Sequence, residues 1–249
     1  TSCGMTDVGL KRGHNEDNFL INEELNLFVV ADGMGGHAGG EYASAICVNT
    51  IEEIVMAIEM NGSDGGEEVD PVEIARERLR YALRLAGRRI FEKASQEEEF
   101  HGMGTTAVAL LLDGTNAIVA HVGDSRLYLM RDGKIQQVTE DHSFVARQVK
   151  EGLMSEEDAK SHRMRNVIYR SLGYQEDVEV DVQVYAVRKG DRFLLCSDGL
   201  TGHVDGDELG EYVGGFGPQE ASRRLIELAC ERGGDDNITA LIARVEAVD

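Results

Sequence analysis

Four short apolar runs in this sequence each end on, or start from, an aspartate beside a glycine or a turn. Leu27-Phe28-Val29-Val30-Ala31 leads into Asp32-Gly33-Met34-Gly35-Gly36, and Phe193-Leu194-Leu195-Cys196-Ser197 leads into Asp198-Gly199. Val119-Ala120-His121-Val122 leads into Gly123-Asp124-Ser125-Arg126, and Asp235-Asp236-Asn237 immediately precedes the run that begins at Ile238. Apolar stretches of this length between turn residues read as strands. A carboxylate at the edge of a core loses hydration that must be replaced by an ion pair or a metal ion. Lys and Arg are too few near these motifs to pair them all. Oxygen ligands without His or Cys companions suit Mg²⁺ or Mn²⁺, and glycine lets a backbone carbonyl approach an ion closely. Asp-Gly is also a common turn dipeptide, so the spacing alone leaves a cation site and a set of ordinary turns both open.

Around these runs the chain alternates helices and strands. Asp70-Pro71-Val72-Glu73 predicts a helix start with Asp at the N-cap, Pro at the first position and Glu completing a capping box. Ala75, Leu79, Leu83, Ala86 and Ile90 continue it as an apolar stripe. A second helix opens at Gly217-Pro218, carries Ala221, Leu225 and Leu228 on one face and ends at Gly233-Gly234. A third follows Gly39-Gly40, with Val48, Ile51, Val55 and Ile58 at helical spacing. Strands are expected at Leu25–Ala31, Thr105–Leu112, Ala117–Val122, Arg126–Arg131, Lys134–Thr139, Val178–Val187, Arg192–Ser197 and Ile238–Val245. Asp132-Gly133 is a hairpin turn, and turns this short require antiparallel neighbours. The pattern is α+β, with helix pairs flanking a large sheet core. The acid- and Gly-rich stretch 61–70 reads as a loop between helices, and the polar, helical stretch 144–170 as an insertion.

Charge narrows the function further. The 249 residues carry 46 acidic and 25 basic side chains, a net charge of −21. Such a field repels nucleic acid and anionic membranes, so neither is an expected partner. A phosphorylated substrate would be repelled too, unless cations neutralise the field locally. No apolar run approaches membrane-spanning length, nothing at the N-terminus reads as a secretion signal, and the four cysteines form no CxxC pair. A cytoplasmic setting with reduced thiols is expected, with Cys47 and Cys196 as small buried hydrophobes.

Arg12-Gly13-His14-Asn15-Glu16-Asp17, Asp32-Gly33-Met34-Gly35-Gly36-His37, Gly104-Thr105-Thr106, Gly123-Asp124-Ser125-Arg126, Asp141-His142-Ser143, Ser197-Asp198-Gly199-Leu200 and Asp236-Asn237 follow one another along the chain. Their order resembles the type-2C metal-dependent protein phosphatase family, most closely its bacterial serine/threonine members. The resemblance spans nearly the whole chain and implies one domain over 1–249. It also implies a four-layer α-β-β-α sandwich: two central, mainly antiparallel sheets flanked by helix pairs, with metals in a cleft at one edge of the sheets. It further implies Mn²⁺ or Mg²⁺ as two core ions, a weaker third ion, and hydrolysis of phosphoserine and phosphothreonine in proteins by a hydroxide bridging the core pair. Asp32 then corresponds to the carboxylate bridging both ions, Gly33 to a carbonyl ligand of one, and Asp198 and Asp236 to ligands of the other. Glu16 and Asp17 correspond to acids acting through metal-bound water, Asp124 to the anchor of the third ion, and Arg12 to the phosphate-binding guanidinium. The implied partners are phosphorylated proteins and a bacterial Ser/Thr kinase whose work is reversed.

The resemblance has one departure. Some relatives carry His directly after the Asp-Gly of the second motif, where it serves as general acid; here Met34 stands there. His37 is the nearest substitute, with a turn-structuring role as its alternative. His142 is expected to order the turn before the insertion, and 144–170 resembles a flap bordering the cleft.

Overall fold

A computed structural model describes residues 1–35, 38–60 and 70–248. Eleven strands and seven helices follow one another along these residues. The first strands are β1 (Ser2–Asp7), β2 (Asp17–Asn22) and β3 (Leu27–Met34), followed by helices α1 (Ala38–Met60) and α2 (Pro71–Gln96). Then come β4 (Gly104–Thr105), β5 (Ala107–Asp113), β6 (Asn116–Val122), β7 (Arg126–Arg131) and β8 (Lys134–Gln137). Helices α3 (Phe144–Lys150) and α4 (Glu156–Ser161) interrupt the strands before β9 (Asp181–Ala186) and β10 (Arg192–Cys196). Helices α5 (Asp198–Thr201), α6 (Gly206–Gly215) and α7 (Pro218–Glu231) lead to β11 (Ile238–Arg244).

The strands form two antiparallel sheets. One has the order β1-β11-β10-β7-β8, and the other β2-β3-β5-β6-β9 with β4 paired to β3. Their side chains divide by strand parity among three apolar layers. Leu27, Val29 and Ala31 of β3 meet Ile51 of α1 and Leu83 of α2 in one layer. Phe28 and Val30, on the other face of the same strand, meet Phe193 and Leu195 of β10 between the sheets. Leu194 and Cys196 then face Leu209 of α6 and Leu225 of α7 in the third. Three apolar layers separate four layers of structure, so the chain is an α-β-β-α sandwich. Both faces of the central strands are covered, which is why they read as continuous apolar runs and not as alternating ones.

Local chemistry explains most boundaries. Asp70 caps α2 by accepting from Val72 N at 3.0 Å, with Pro71 at the first helical position. Glu73 turns aside from the expected capping box and pairs with Arg76 at 3.3 Å. The stripe from Ala75 to Ile90 is fully buried. The Asp132-Gly133 hairpin joins β7 to β8, with both residues at positive φ (52° and 76°). Expected and observed elements differ in several places. Strands β1 and β2 and helices α5 and α6 lie outside the expected set, and α1 begins at Ala38, before Gly39-Gly40. Strand β3 also continues through Asp32 to Met34, because β4 offers Gly33 and Met34 a partner. The 61–69 part of the expected interhelical loop lies outside the described residues.

Phe193 is fully buried at the centre of the inter-sheet layer. Phe193→Ala is expected to cost about 3–5 kcal/mol, read as a lower urea midpoint at unchanged slope.

Candidate metal centre

At one end of the sandwich the space between the sheets changes from apolar to polar. Asp17 opens β2 directly opposite Asp32 of β3. Asp17 shares strand parity with Phe19 and Ile21, and Asp32 with Phe28 and Val30, so both carboxylates point between the sheets. Asp198 follows β10 as the first residue of α5, Asp124 follows β6, and Asp236 lies two residues before β11. The five aspartates are close enough that the others act on Asp32: burial first, then the charges of Asp17, Asp198, Asp124 and Asp236, hold its carboxyl well above the usual range. Burial pushes Asp17 up to about 7, against hydrogen bonds from Thr239 and Ser197 that favour its charged form. Asp124 is likewise pushed to about 7, by burial and then by Asp198 and Asp141. Asp198 is raised by burial and Asp236, while a hydrogen bond with Asp32 draws it down.

Hydroxyls and backbone groups hold this cluster. Ser197 Oγ and Thr239 Oγ1 both donate to Asp17 Oδ2, at 2.8 and 2.6 Å. Asp32 N donates to Thr106 Oγ1 at 3.1 Å, and that oxygen pairs with Ser125 Oγ at 2.6 Å. Asn237 staples the loop before β2: its Nδ2 donates to the carbonyls of Val8 and His14, and its Oδ1 accepts from Glu16 N at 2.8 Å. Ser44 Oγ and Gly33 N donate to the Glu16 carbonyl, tying α1 and β3 to the same loop. The helix reaches this close because Gly33 and Gly40 lack side chains. A Cβ on Gly33 would collide with the Gly40 carbonyl oxygen, and one on Gly40 with Oε2 of Glu16.

Two guanidinium groups border the cluster. Arg12 Nη2 donates to Asp236 Oδ2 at 2.7 Å from a half-exposed position. Arg126 is engaged elsewhere, gripping Asp141 through Nε and Nη2. One buried oxygen, Asp17 Oδ1, has no hydrogen-bond partner. A buried, unpartnered carboxylate oxygen within a group of like charges is what a cation site requires of its donors. The donor set therefore fits divalent cations held by oxygen.

All of the expected acids, Glu16, Asp17, Asp32, Asp124, Asp198 and Asp236, together with Gly33 and Arg12, belong to this one end of the sandwich. Met34 is half-buried beside Gly104, and His37 lies outside the described residues. His142 orders its turn as expected: its Nδ1 accepts from Gly123 N at 3.1 Å, and its carbonyl accepts from Tyr169 N at 2.9 Å. Burial, His121 and Arg170 hold its pKa down to about 4, so the ring is neutral. His121, His142 and Asp181 also come together as potential metal ligands. The imidazoles are stacked at 4.7 Å, however, and their lone pairs lie in near-parallel planes. The Arg170 guanidinium already sits 2.8 Å from Asp181 Oδ1 and 3.1 Å from His142 Nε2. That group has its cation and serves to close the base of the 144–170 segment. The roles of Thr6, Ser44, Thr106, Ser125, Ser197 and Thr239 were not foreseen. Thr and Ser are common in strands, turns and helices alike, so no spacing signal marks these as supports of the carboxylates.

The Protein phosphatase 2C family profile matches residues 11–238. A putative protein phosphatase 2C-type of Streptococcus pyogenes is 38% identical over 253 residues, covering 98% of this chain and 97% of that protein. The serine/threonine protein phosphatase PstP of Mycobacterium tuberculosis is 37% identical over 99% of this chain, and the chain spans 45% of its length. The catalytic domain of PstP, solved with two manganese ions, matches with a TM-score of 0.85 at 35% identity, over 99% of this chain and 98% of that one.

The raised carboxyls set a pH dependence. A carboxylate whose pKa rises on folding adds stability below its unfolded value near 3.8 and loses it as pH climbs through its folded value, about 7 for Asp17 and Asp124. His142, with a depressed pKa, acts oppositely as pH falls, so the informative quantity is the difference made by metal. The gain in Tm on adding Mn²⁺ to EDTA-treated protein is expected to grow between pH 5 and pH 8. The corresponding gain in unfolding free energy should approach about 2.7 kcal/mol at a hundredfold excess over Kd. A gain that shrinks with rising pH would contradict a cation-neutralised carboxylate cluster.

Proposed function

The chain belongs to the Protein phosphatase 2C family, and we propose that it removes phosphate from phosphoserine and phosphothreonine in proteins with the aid of divalent cations. The observation that carries this reading is the cluster of Asp17, Asp32, Asp124, Asp198 and Asp236 at the open end of the inter-sheet layer, with Asp17 Oδ1 left unpartnered. On this reading Asp32 would serve both core ions, with the carbonyl of Gly33 as a ligand of one and Asp198 and Asp236 as ligands of the other. Glu16 and Asp17 act through water, and Asp124 anchors a weaker third ion. When bound, Mn²⁺ or Mg²⁺ supplies a water acidic enough to be deprotonated near neutral pH and cancels the negative field that would repel a phosphate.

The chain's own groups do the rest. Arg12, paired with Asp236 at 2.7 Å, lies at the rim where a phosphoryl group would arrive. Once cations neutralise Asp236, that guanidinium is free to grip two phosphoryl oxygens. Met34 has no proton to give, so protonation of the leaving serine or threonine oxygen falls to water or another side chain. The 144–170 segment, closed at its base by His142, Asp181 and Arg170, acts as a flap that shapes substrate choice. We place the enzyme in the cytoplasm, opposite a Ser/Thr kinase; its four free cysteines suit a reducing compartment. Among the described residues no helix is long and apolar enough to cross a membrane.

The test is release of phosphate from a phosphothreonine peptide with Mn²⁺, against a small phosphorylated metabolite as comparison. Equal or faster turnover of the metabolite would overturn the protein substrate. Asp32→Ala and Asp198→Ala are expected to abolish turnover and to weaken Mn²⁺ binding in calorimetry; an active variant would refute the ligand assignment. Arg12→Ala should lower kcat/KM about ten- to a hundredfold, mainly through KM, as loss of a charge-assisted contact implies. Its Mn²⁺ affinity should stay near that of the unaltered protein.

A further inference from the structure

The hydrogen bonds around Asp17 form a closed circuit with one direction. Asp17 N donates to Asn15 Oδ1 at 3.1 Å. Asn15 Nδ2, which can only donate, reaches Thr6 Oγ1 at 2.8 Å. Thr6 Oγ1 lies 2.8 Å from Thr239 Oγ1, and Thr239 Oγ1 donates to Asp17 Oδ2 at 2.6 Å. The single proton of Thr239 is committed to the carboxylate, so in the Thr6–Thr239 pair Thr6 must be the donor. Every donor therefore points the same way around the circuit, from Asp17 N through Asn15, Thr6 and Thr239 back to Asp17 Oδ2. Ser197 repeats the pattern from the other side: its Oγ accepts from Thr239 N at 3.0 Å and donates to Asp17 Oδ2 at 2.8 Å.

Such a chain polarises itself, because each donor is strengthened by the bond it accepts. It also divides the carboxylate: Oδ2 takes both hydroxyls, and Oδ1 keeps none. Thr6 and Thr239 face each other in register on β1 and β11, and Asp17 belongs to the opposite sheet. The circuit thus spans the gap between the sheets at the point where the apolar layer stops.

We propose that Thr6 and Thr239, driven by the Asn15 amide, are positioning residues for the metal centre: they hold Asp17 Oδ2 so that Oδ1 is presented to a cation or its water. Supporting groups of this kind affect affinity about ten- to a hundredfold when removed. Thr6 is the informative member, since its hydroxyl bonds Asn15 and Thr239 and reaches Asp17 only through them.

The proposal rests on the two-cation reading of the site, and the experiment separates the two. Mn²⁺ affinity is measured by calorimetry on Thr6→Val, Thr239→Val and the double variant, with Tm of the EDTA-treated proteins as a control for folding. Thr6→Val and Thr239→Val should each weaken Mn²⁺ binding about tenfold or more, and the double variant should be no weaker than Thr239→Val alone. Thr6→Ser and Thr239→Ser, which keep the hydroxyl, should bind as the unaltered protein does; these and Thr6→Val carry the test if Thr239→Val does not fold. Unchanged affinity in Thr6→Val, or losses that add in the double variant, would overturn the circuit. Asp17→Asn decides which idea has failed. If it loses Mn²⁺ while Thr6→Val does not, the site stands and the circuit falls; if it binds Mn²⁺ normally, the place of Asp17 in the site falls as well.

Discussion

The rest of the structure depends on a repulsion. Asp17, Asp32, Asp124 and Asp198 have little water and several like-charged neighbours, and each is held above the usual carboxylate range. No fold gathers such groups for stability, since an unpaired buried charge opposes folding. The two sheets tolerate it because three apolar layers, anchored by residues such as Leu83, Phe193 and Leu225, drive the sandwich together from within and from both flanks. The strained end is localised where the inter-sheet layer opens, and on the proposed reading bound cations would relieve it.

Between the apolar layer and the carboxylates lies a belt of hydroxyls: Thr6, Thr106, Ser125, Ser197 and Thr239. Thr6 and Thr239 share the inward parity of β1 and β11, and Thr106, Ser125 and Ser197 stand at the ends of neighbouring strands, so the belt continues the core while changing its chemistry. Thr106 and Ser125 hold one another under Asp32, as Thr239 and Ser197 hold Asp17. A hydroxyl both accepts and donates, and it packs in nearly the volume of a methyl group. It is suited to a boundary where one neighbour is a carboxylate and the other a valine.

Much of this was legible in the sequence, and the remainder fails for identifiable reasons. Central strands were found because both faces are apolar, and α2 and α7 because their stripes keep a 3.6-residue period and open on proline. Strand β1, Ser-Cys-Gly-Met-Thr-Asp, has neither a clean alternation nor an apolar run, since Gly4 leaves room for the Phe19 ring and Thr6 serves the polar belt. Helix α6 contains Gly206, Gly210, Gly214 and Gly215, which suppress any propensity signal. Gly210 and Gly214 pack against Ile135 and Met130, so tertiary contact decides that helix. The candidate acids stand out in the sequence as aspartates at the ends of apolar runs, and the family resemblance supplied their expected roles. Their supports do not stand out, because threonine in a strand is common.

The base of the 144–170 segment has a consequence for how such a protein diversifies. Its two ends meet through a Ser143–Ile168 bridge and the bonds linking Phe144 to Val167 and Tyr169 to His142, while Arg170 is tied to Asp181. The chain that leaves the sheets at Ser143 therefore returns beside its own point of departure. Residues can be inserted, removed or exchanged beyond that clasp without shifting the register of any strand. Selection can rewrite that surface while the carboxylates and hydroxyls of the sandwich inherit their positions unchanged.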